Sequence, residues 1–183
     1  MFNTFAHLDL FDLVVAENGA VLHNPATNDV NVIASPPPPA LLAALQRQQV
    51  PISVGHTIVA TVTPPHEAML AAIQSLGLNW HVIYNKGAAM ALPTGVTKAT
   101  GLLVALTILG VTPAECVGIG DAENDIDFMS VCGLAVAVAN ALPEVKSVAD
   151  VVLTSARGAA VVELATRLRS GDFDMLGRWS VAR

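Results

Sequence analysis

The chain has 183 residues, 53% of them hydrophobic and only 13% charged, with a formal net charge of −6. That apolar fraction excludes intrinsic disorder, and nine Lys plus Arg residues leave no basic face for nucleic acid. Mean hydropathy is high at +0.57, but the longest apolar runs, 99–114 and 128–143, are broken by Gly, Pro, Asn or Thr and fall short of the ~20 residues that span a bilayer.

Buried strands and helices of a layered α/β protein are therefore expected, since parallel strands run continuously apolar. Residues 1–13 carry no basic region and no long apolar core, so they do not read as a signal peptide, and the cytoplasm is the expected location. Cys116 and Cys132 lack metal-ligand spacing and read as buried free thiols of a reducing compartment.

In chain order, Leu13–Ala16 predicts a short strand closed by Asn18-Gly19, with Ala20–His23 continuing extended. Val30–Ala34 predicts a strand, and four prolines, Pro36–Pro39, end it and lead into a helix over Pro39–Gln48. Pro51–Thr61 is strand-like with a break at Gly55, and Pro65–Leu76 is helical with Gly77 as its stop. Trp80–Tyr84 and Ala88–Leu92 predict two strands about a hairpin-like turn at Lys86-Gly87. From Thr97 the pattern is helix (97–109), strand (115–119), helix (123–132), strand (134–139), helix (143–149), strand (151–153) and helix (158–169). That alternation predicts a doubly wound, Rossmann-like parallel sheet. Residues 1–23 and 93–170 are assigned to this core, 24–92 to an inserted α+β unit, and 171–183 to a tail or linker.

The chemistry concentrates where the apolar strand Val117–Ile119 ends at Gly120. Four of the chain's fifteen acids, Asp121, Glu123, Asp125 and Asp127, follow within seven residues. In an open α/β sheet ligands bind at the carboxyl ends of strands. Several carboxylates there invite a hard cation, and Mg²⁺ takes one or two carboxylates plus waters and substrate phosphate. A solvated helix start with Asp121 as N-cap is the blander alternative. A calcium loop fails because Ile126 stands where the turn demands Gly. A dinucleotide fingerprint fails because Glu123 replaces the third Gly of Gly118-x-Gly120. Lys98 opens the predicted helix at 97–109, the end where a cation is disfavoured. Only Lys86, Lys98 and Lys146 supply positive charge between Arg47 and Arg157, so Lys98 calls for a carboxylate or phosphate partner.

These segments resemble the haloacid dehalogenase-like (HAD) superfamily, in its Cof-type branch with an α/β cap. The family's G-V-x-K-x-x-G opening of a helix is matched by Gly95-Val96-Thr97-Lys98-Ala99-Thr100-Gly101, and its G-D-x-x-N-D strand end by Gly120-Asp121-Ala122-Glu123-Asn124-Asp125. Val136–Ala141 resembles the branch's loop around Asn140, and Val15–Ala20 its strand ending in Glu17-Asn18-Gly19 before the cap. The resemblance implies a Mg²⁺-dependent phosphomonoester hydrolase acting on a small phosphorylated metabolite through a phosphoaspartyl intermediate. It implies that Asp121 ligates the metal, that Asn124 and Asp125 hold the metal's waters and orient Lys98, and that Lys98 stabilises the transferring phosphoryl. Asn140 would support the site by hydrogen bonding, and Glu123 would lie on the surface.

One departure weighs against turnover. The family's nucleophile strand carries D-x-D, whereas Asp9-Leu10-Phe11-Asp12 is D-x-x-D with no buried strand before it. Two βα units, on the order of 40–50 residues at ordinary element lengths, are missing from the family pattern, so Met1 reads as an internal start. The chain alone is then expected to be inactive and to associate through an exposed sheet edge. A non-catalytic binding or regulatory module is the alternative. Within the cap, His56, Thr57, His81, Asn85 and, most weakly, Lys86 are candidates for substrate specificity. The five histidines form no zinc-ligand spacing.

Overall fold

The computed structural model describes residues 7–62, 66–85 and 87–171. The chain divides after Ala105 into two units.

Among the described residues, the first element of the first unit is a single turn of 3-10 helix at Leu8–Leu10. Two antiparallel sheets follow. In the first, β1 (Val14–Ala16), β2 (Val21–Asn24) and β3 (Asp29–Val32) lie in sequential order. β2 is central to it, with Val21, Leu22 and His23 all buried, while β3 is exposed along its whole length. The Pro36–Pro39 run ends in α1 (Pro39–Arg47), with proline in the first turn, where no N–H is needed. The second sheet has the order β4-β5-β7-β6, from β4 (Ser53–Val54), β5 (Val59–Val62), β6 (Trp80–Asn85) and β7 (Ala88–Pro93). The expected strand at 51–61 is thus two strands meeting at a turn around Gly55.

α1 and α2 (His66–Ser75) pack on this sheet. Leu41, Leu45, Val59, Met69 and Ala91 are fully buried between them, each larger side chain contributing about 1.5–3 kcal/mol by leaving water. α3 (Lys98–Leu109) starts in this unit. Thr97 is its N-cap, its hydroxyl accepting the Thr100 N–H at 3.3 Å.

The second unit is a three-stranded parallel sheet in the order β10-β9-β8, from β8 (Val117–Gly120), β9 (Leu134–Ala137) and β10 (Val151–Val152). β9 is the central strand and is buried at every residue, which explains its uninterrupted Leu-Ala-Val-Ala sequence. α4 (Ile126–Val131), α5 (Pro143–Val148) and α6 (Arg157–Ser170) complete the unit. Met129, Val136, Val145, Ala160 and Leu164 form its core.

Three expectations differ from the structure. Glu115, expected to open the strand 115–119, belongs to a 3-10 turn at Pro113–Glu115, and residues 123–125, expected in the helix 123–132, form another before α4. Cys116 and Cys132 are free but half-buried, not buried. Burial pushes the Cys132 thiol up to about 11, so it is not a nucleophile near neutral pH.

Candidate active site

Gly120 ends β8 with its backbone against the turn that follows. A Cβ there would meet Asp125 Cβ and Met129 Sδ at 2.6 Å each, so only glycine lets Asp125 fold back over the strand end. Asp125 is buried, and its Oδ2 accepts the N–H of Asp121 at 2.9 Å and of Ala122 at 3.0 Å. Its own N–H donates to the Ala122 carbonyl at 2.9 Å. This carboxylate therefore shapes the turn. Asp121 and Asn124 are half-buried beside it, whereas Glu123 and Asp127 are exposed.

Loops following the other two strands converge on the same sheet end. Val138 N–H donates to the Gly120 carbonyl at 3.3 Å, and Leu142 N–H to the Asp121 carbonyl at 3.1 Å. Asn140, exposed itself, accepts the Arg157 N–H on Oδ1 at 2.8 Å. Arg157 holds φ at +55°, a conformation that favours glycine or asparagine. An open pocket of about 270 Å³ results, lined by Ile119, Gly120, Asp121, Asp125, Val138, Arg157 and Val161.

The sequence reading missed Arg157. Its place depends on Asn140, seventeen residues earlier, and the only local signal is a cation at the start of the last apolar-periodic segment.

Among the described residues no three or more His, Cys, Asp or Glu side chains converge to hold a metal. The oxygen donors at the strand end are the carboxylates of Asp121 and Asp125 and the Asn124 amide, with one Asp125 oxygen already engaged by two backbone N–H groups. That sparse, all-oxygen set fits a divalent cation that keeps most of its waters, as Mg²⁺ does, better than it fits a full protein cage.

Lys98 is the first residue of α3, half-buried, in the first unit. Lys86 lies outside the described residues. His81 and Asn85 are on β6, with His81 Nδ1 and Asn85 Oδ1 buried and without a hydrogen-bond partner among the described residues.

His56 and Thr57 sit in the turn between β4 and β5, and both face Glu17. Glu17 Oε1 accepts the His56 N–H at 2.9 Å and lies 3.2 Å from His56 Nδ1. Its Oε2 accepts the N–H of Thr57 at 2.9 Å and of Ile58 at 3.1 Å. Burial alone would raise the Glu17 carboxyl, but the hydrogen bonds from Thr57, His56 and Ile58 outweigh it and hold the group below the ordinary glutamate value.

Residues 81–164 match the family model of haloacid dehalogenase-like hydrolases. A phosphoglycolate phosphatase from Methanothermobacter thermautotrophicus is 30% identical over 162 residues, covering 84% of this chain and 71% of that one. Phosphoglycolate phosphatase 2 from Saccharolobus solfataricus is 37% identical over 105 residues, which are 57% of this chain and 43% of the relative. The phosphoglycolate phosphatase of Sulfurisphaera tokodaii, 32% identical, is covered over 55% of its length, so the chain spans about half the length of several relatives it matches. Among solved structures, the HAD subclass IIB sugar phosphatase BT4131 superposes with a TM-score of 0.71 at 17% identity, covering 93% of this chain and 80% of that one. A haloacid dehalogenase-like hydrolase from Bacteroides thetaiotaomicron gives 0.70 at 18% identity, covering 85% and 76%.

Proposed function

The chain belongs to the haloacid dehalogenase-like hydrolases, and from that premise we propose that it carries the metal-side and lysine-side residues of a phosphatase for small phosphorylated metabolites. The observation that supports this reading most is the Asp121–Asp125 turn, which ends an apolar parallel strand and lines a pocket with two carboxylates.

In this reading Asp121 and Asn124 hold Mg²⁺, with Asp125 fixing the turn and supporting the metal's waters. The metal, when bound, neutralises charge on the phosphoryl oxygens. Lys98 contributes a fixed positive charge that stabilises the transferring phosphoryl. Asn140 acts indirectly, by tying the Arg157 segment to the pocket. Phosphoglycolate is the first substrate to test, since relatives carry that activity in their names, and sugar phosphates are the second. The cytoplasm is the proposed location; no helix among the described residues is long and apolar enough to cross a membrane.

The reaction also needs a nucleophilic carboxylate. Asp9 lies within the 3-10 turn at Leu8–Leu10 and Asp12 just after it, with D-x-x-D spacing, and the pair does not fill that role in our reading. Purified, the 183-residue chain should therefore hydrolyse p-nitrophenyl phosphate and phosphoglycolate negligibly with Mg²⁺. Turnover that disappears in Lys98→Ala would overturn the claim that the nucleophile is lacking. Mg²⁺ titration followed by amide NMR should perturb residues 120–125, and Asp121→Ala should abolish the response while Glu123→Ala preserves it. No Mg²⁺ response in the parent chain would favour the non-catalytic module instead. β8 is bonded to β9 alone among the described strands, which supports self-association along that edge, measurable by sedimentation.

A further inference from the structure

The Glu17 side chain is only 7% exposed although it opens a single distorted 3-10 turn, Glu17–Gly19, between β1 and β2. Its four contacts all come from one turn, residues 56–58, thirty-nine to forty-one positions later in the chain. That turn is closed by the Gly55 N–H donating to the Ile58 carbonyl at 2.8 Å. Three successive backbone N–H groups then point at one spot. A Cβ on Gly55 would sit 2.5–2.7 Å from the Glu17 carboxylate atoms, so the turn leaves room for the anion only because residue 55 is glycine. Converging backbone amides of this kind make an anion-binding concavity.

The carboxylate reaches that turn from a distorted backbone. Glu17, Asn18 and Gly19 hold φ at +50°, +52° and +107° in succession, and neither Glu nor a run of left-handed residues is favoured there. Asn18 Nδ2 donates to Met90 Sδ on β7 at 3.3 Å. Gly19 packs directly on the start of α3: a Cβ on it would overlap the Thr97 carbonyl, and a Cβ on Gly101 would overlap the Gly19 backbone. The three residues thus join the β4–β5 turn on one side to the first turn of the Lys98 helix on the other.

We propose that the Gly55–Ile58 turn is a carboxylate-binding site whose resident ligand is Glu17, and that Glu17 is thereby a positioning residue for Lys98. The second half rests on the role given to Lys98 above; the first half does not. An ordinary surface ion pair would not explain the arrangement, because the exposed His56 ring supplies one of four contacts and backbone amides supply the rest.

Amide hydrogen exchange and ¹⁵N NMR on the full 183-residue chain test this without any turnover. In Glu17→Ala the amides of His56, Thr57 and Ile58 should exchange at least about tenfold faster, and the resonances of Thr97, Lys98 and Gly101 should move. Sodium acetate should then restore both sets saturably, where sodium chloride at equal ionic strength does not. Unchanged exchange at 56–58, or acetate acting no differently from chloride, would overturn the carboxylate site. Rescue at 56–58 that leaves 97–101 displaced would overturn the positioning role. Should Glu17→Ala not fold, Glu17→Gln keeps the shape without the charge and must show the same acceleration, or the site is refuted. Lys98→Ala should leave exchange at 56–58 unchanged, so a failed catalytic assignment of Lys98 is distinguishable from a failed carboxylate site.

Discussion

Asp125 and Glu17 are both buried carboxylates that accept backbone N–H groups, yet they hold the molecule together over very different distances. Asp125 binds the amides three and four residues before it, so its turn closes with little loop entropy. Glu17 binds amides 39–41 residues away, so its bonds close a longer loop at a larger entropic cost. The same chemistry therefore specifies a turn in the second unit and a tertiary junction in the first. Each carboxylate relies on a glycine for its close approach, Gly120 beside Asp125 and Gly55 beside Glu17, and Gly19 in turn lays the Glu17 segment against Thr97.

The glycines should show the difference most strongly. Gly19→Ala puts a Cβ onto the Thr97 carbonyl at a φ of +107°, and neither obstacle can swing aside. We expect a loss of more than about 4 kcal/mol and a chain that no longer melts cooperatively. In Gly120→Ala the obstacles are side-chain atoms of Asp125 and Met129 at 2.6 Å, and methionine can repack, so about 1–3 kcal/mol is expected. Thermal melts of the two variants that coincide would break the comparison.

Removing the local carboxylate comes next. Asp125→Ala leaves the Asp121 and Ala122 N–H groups without their buried acceptor, at about 2–4 kcal/mol. Asp125→Asn keeps one oxygen and should lose roughly half of that. Urea denaturation followed by far-ultraviolet circular dichroism measures both. An Asp125→Ala midpoint equal to the parent's would show that the turn is held by something other than this side chain.

What could be read from sequence follows the same division between local and distant. β6, β7 and β9 were predicted to within two residues at each end, because alternation, a hairpin turn and an apolar run are local signals. The Asp121–Asp125 turn was legible too, as carboxylates spaced along a strand end. The Glu17 carboxylate was not, since nothing near residue 17 says that residues 56–58 will present their amides to it. His56 and Thr57 were singled out as polar residues of a cap, but their partner became visible only in the folded chain. Arg157 was missed because Asn140, in another loop, fixes its backbone. Lys98 was picked out by its position against the helix dipole, a local electrostatic argument that needs no tertiary knowledge.

Glu17 itself gives a smaller, pH-dependent effect. Its folded-state carboxyl lies below the ordinary value of 4.5, so the unfolded chain binds the proton more readily than the folded one. The stabilisation is present above the unfolded value and is lost as pH falls through the folded one. Glu17→Gln should cost about 1–2 kcal/mol at neutral pH, and the gap from the parent should close as pH is lowered past 4.5. A gap that stays constant from pH 7 to pH 3 would mean that the charge does not hold the turn.

The smallest effect is expected where a neutral acceptor works in solvent. Asn140 Oδ1 takes the Arg157 N–H at 2.8 Å, with both residues exposed. Asn140→Ala lets water replace the amide, so the loss should stay under about 1 kcal/mol, while the Arg157 amide exchanges faster. Arg157→Gly removes the penalty of a side chain at φ +55° and should raise stability by as much as about 1 kcal/mol where the backbone strain exceeds the added unfolded-state entropy. In the double variant the Asn140 effect should shrink, because a glycine holds that backbone without help. If the double variant instead loses as much as Asn140→Ala alone, the amide is not what keeps residue 157 in its left-handed conformation.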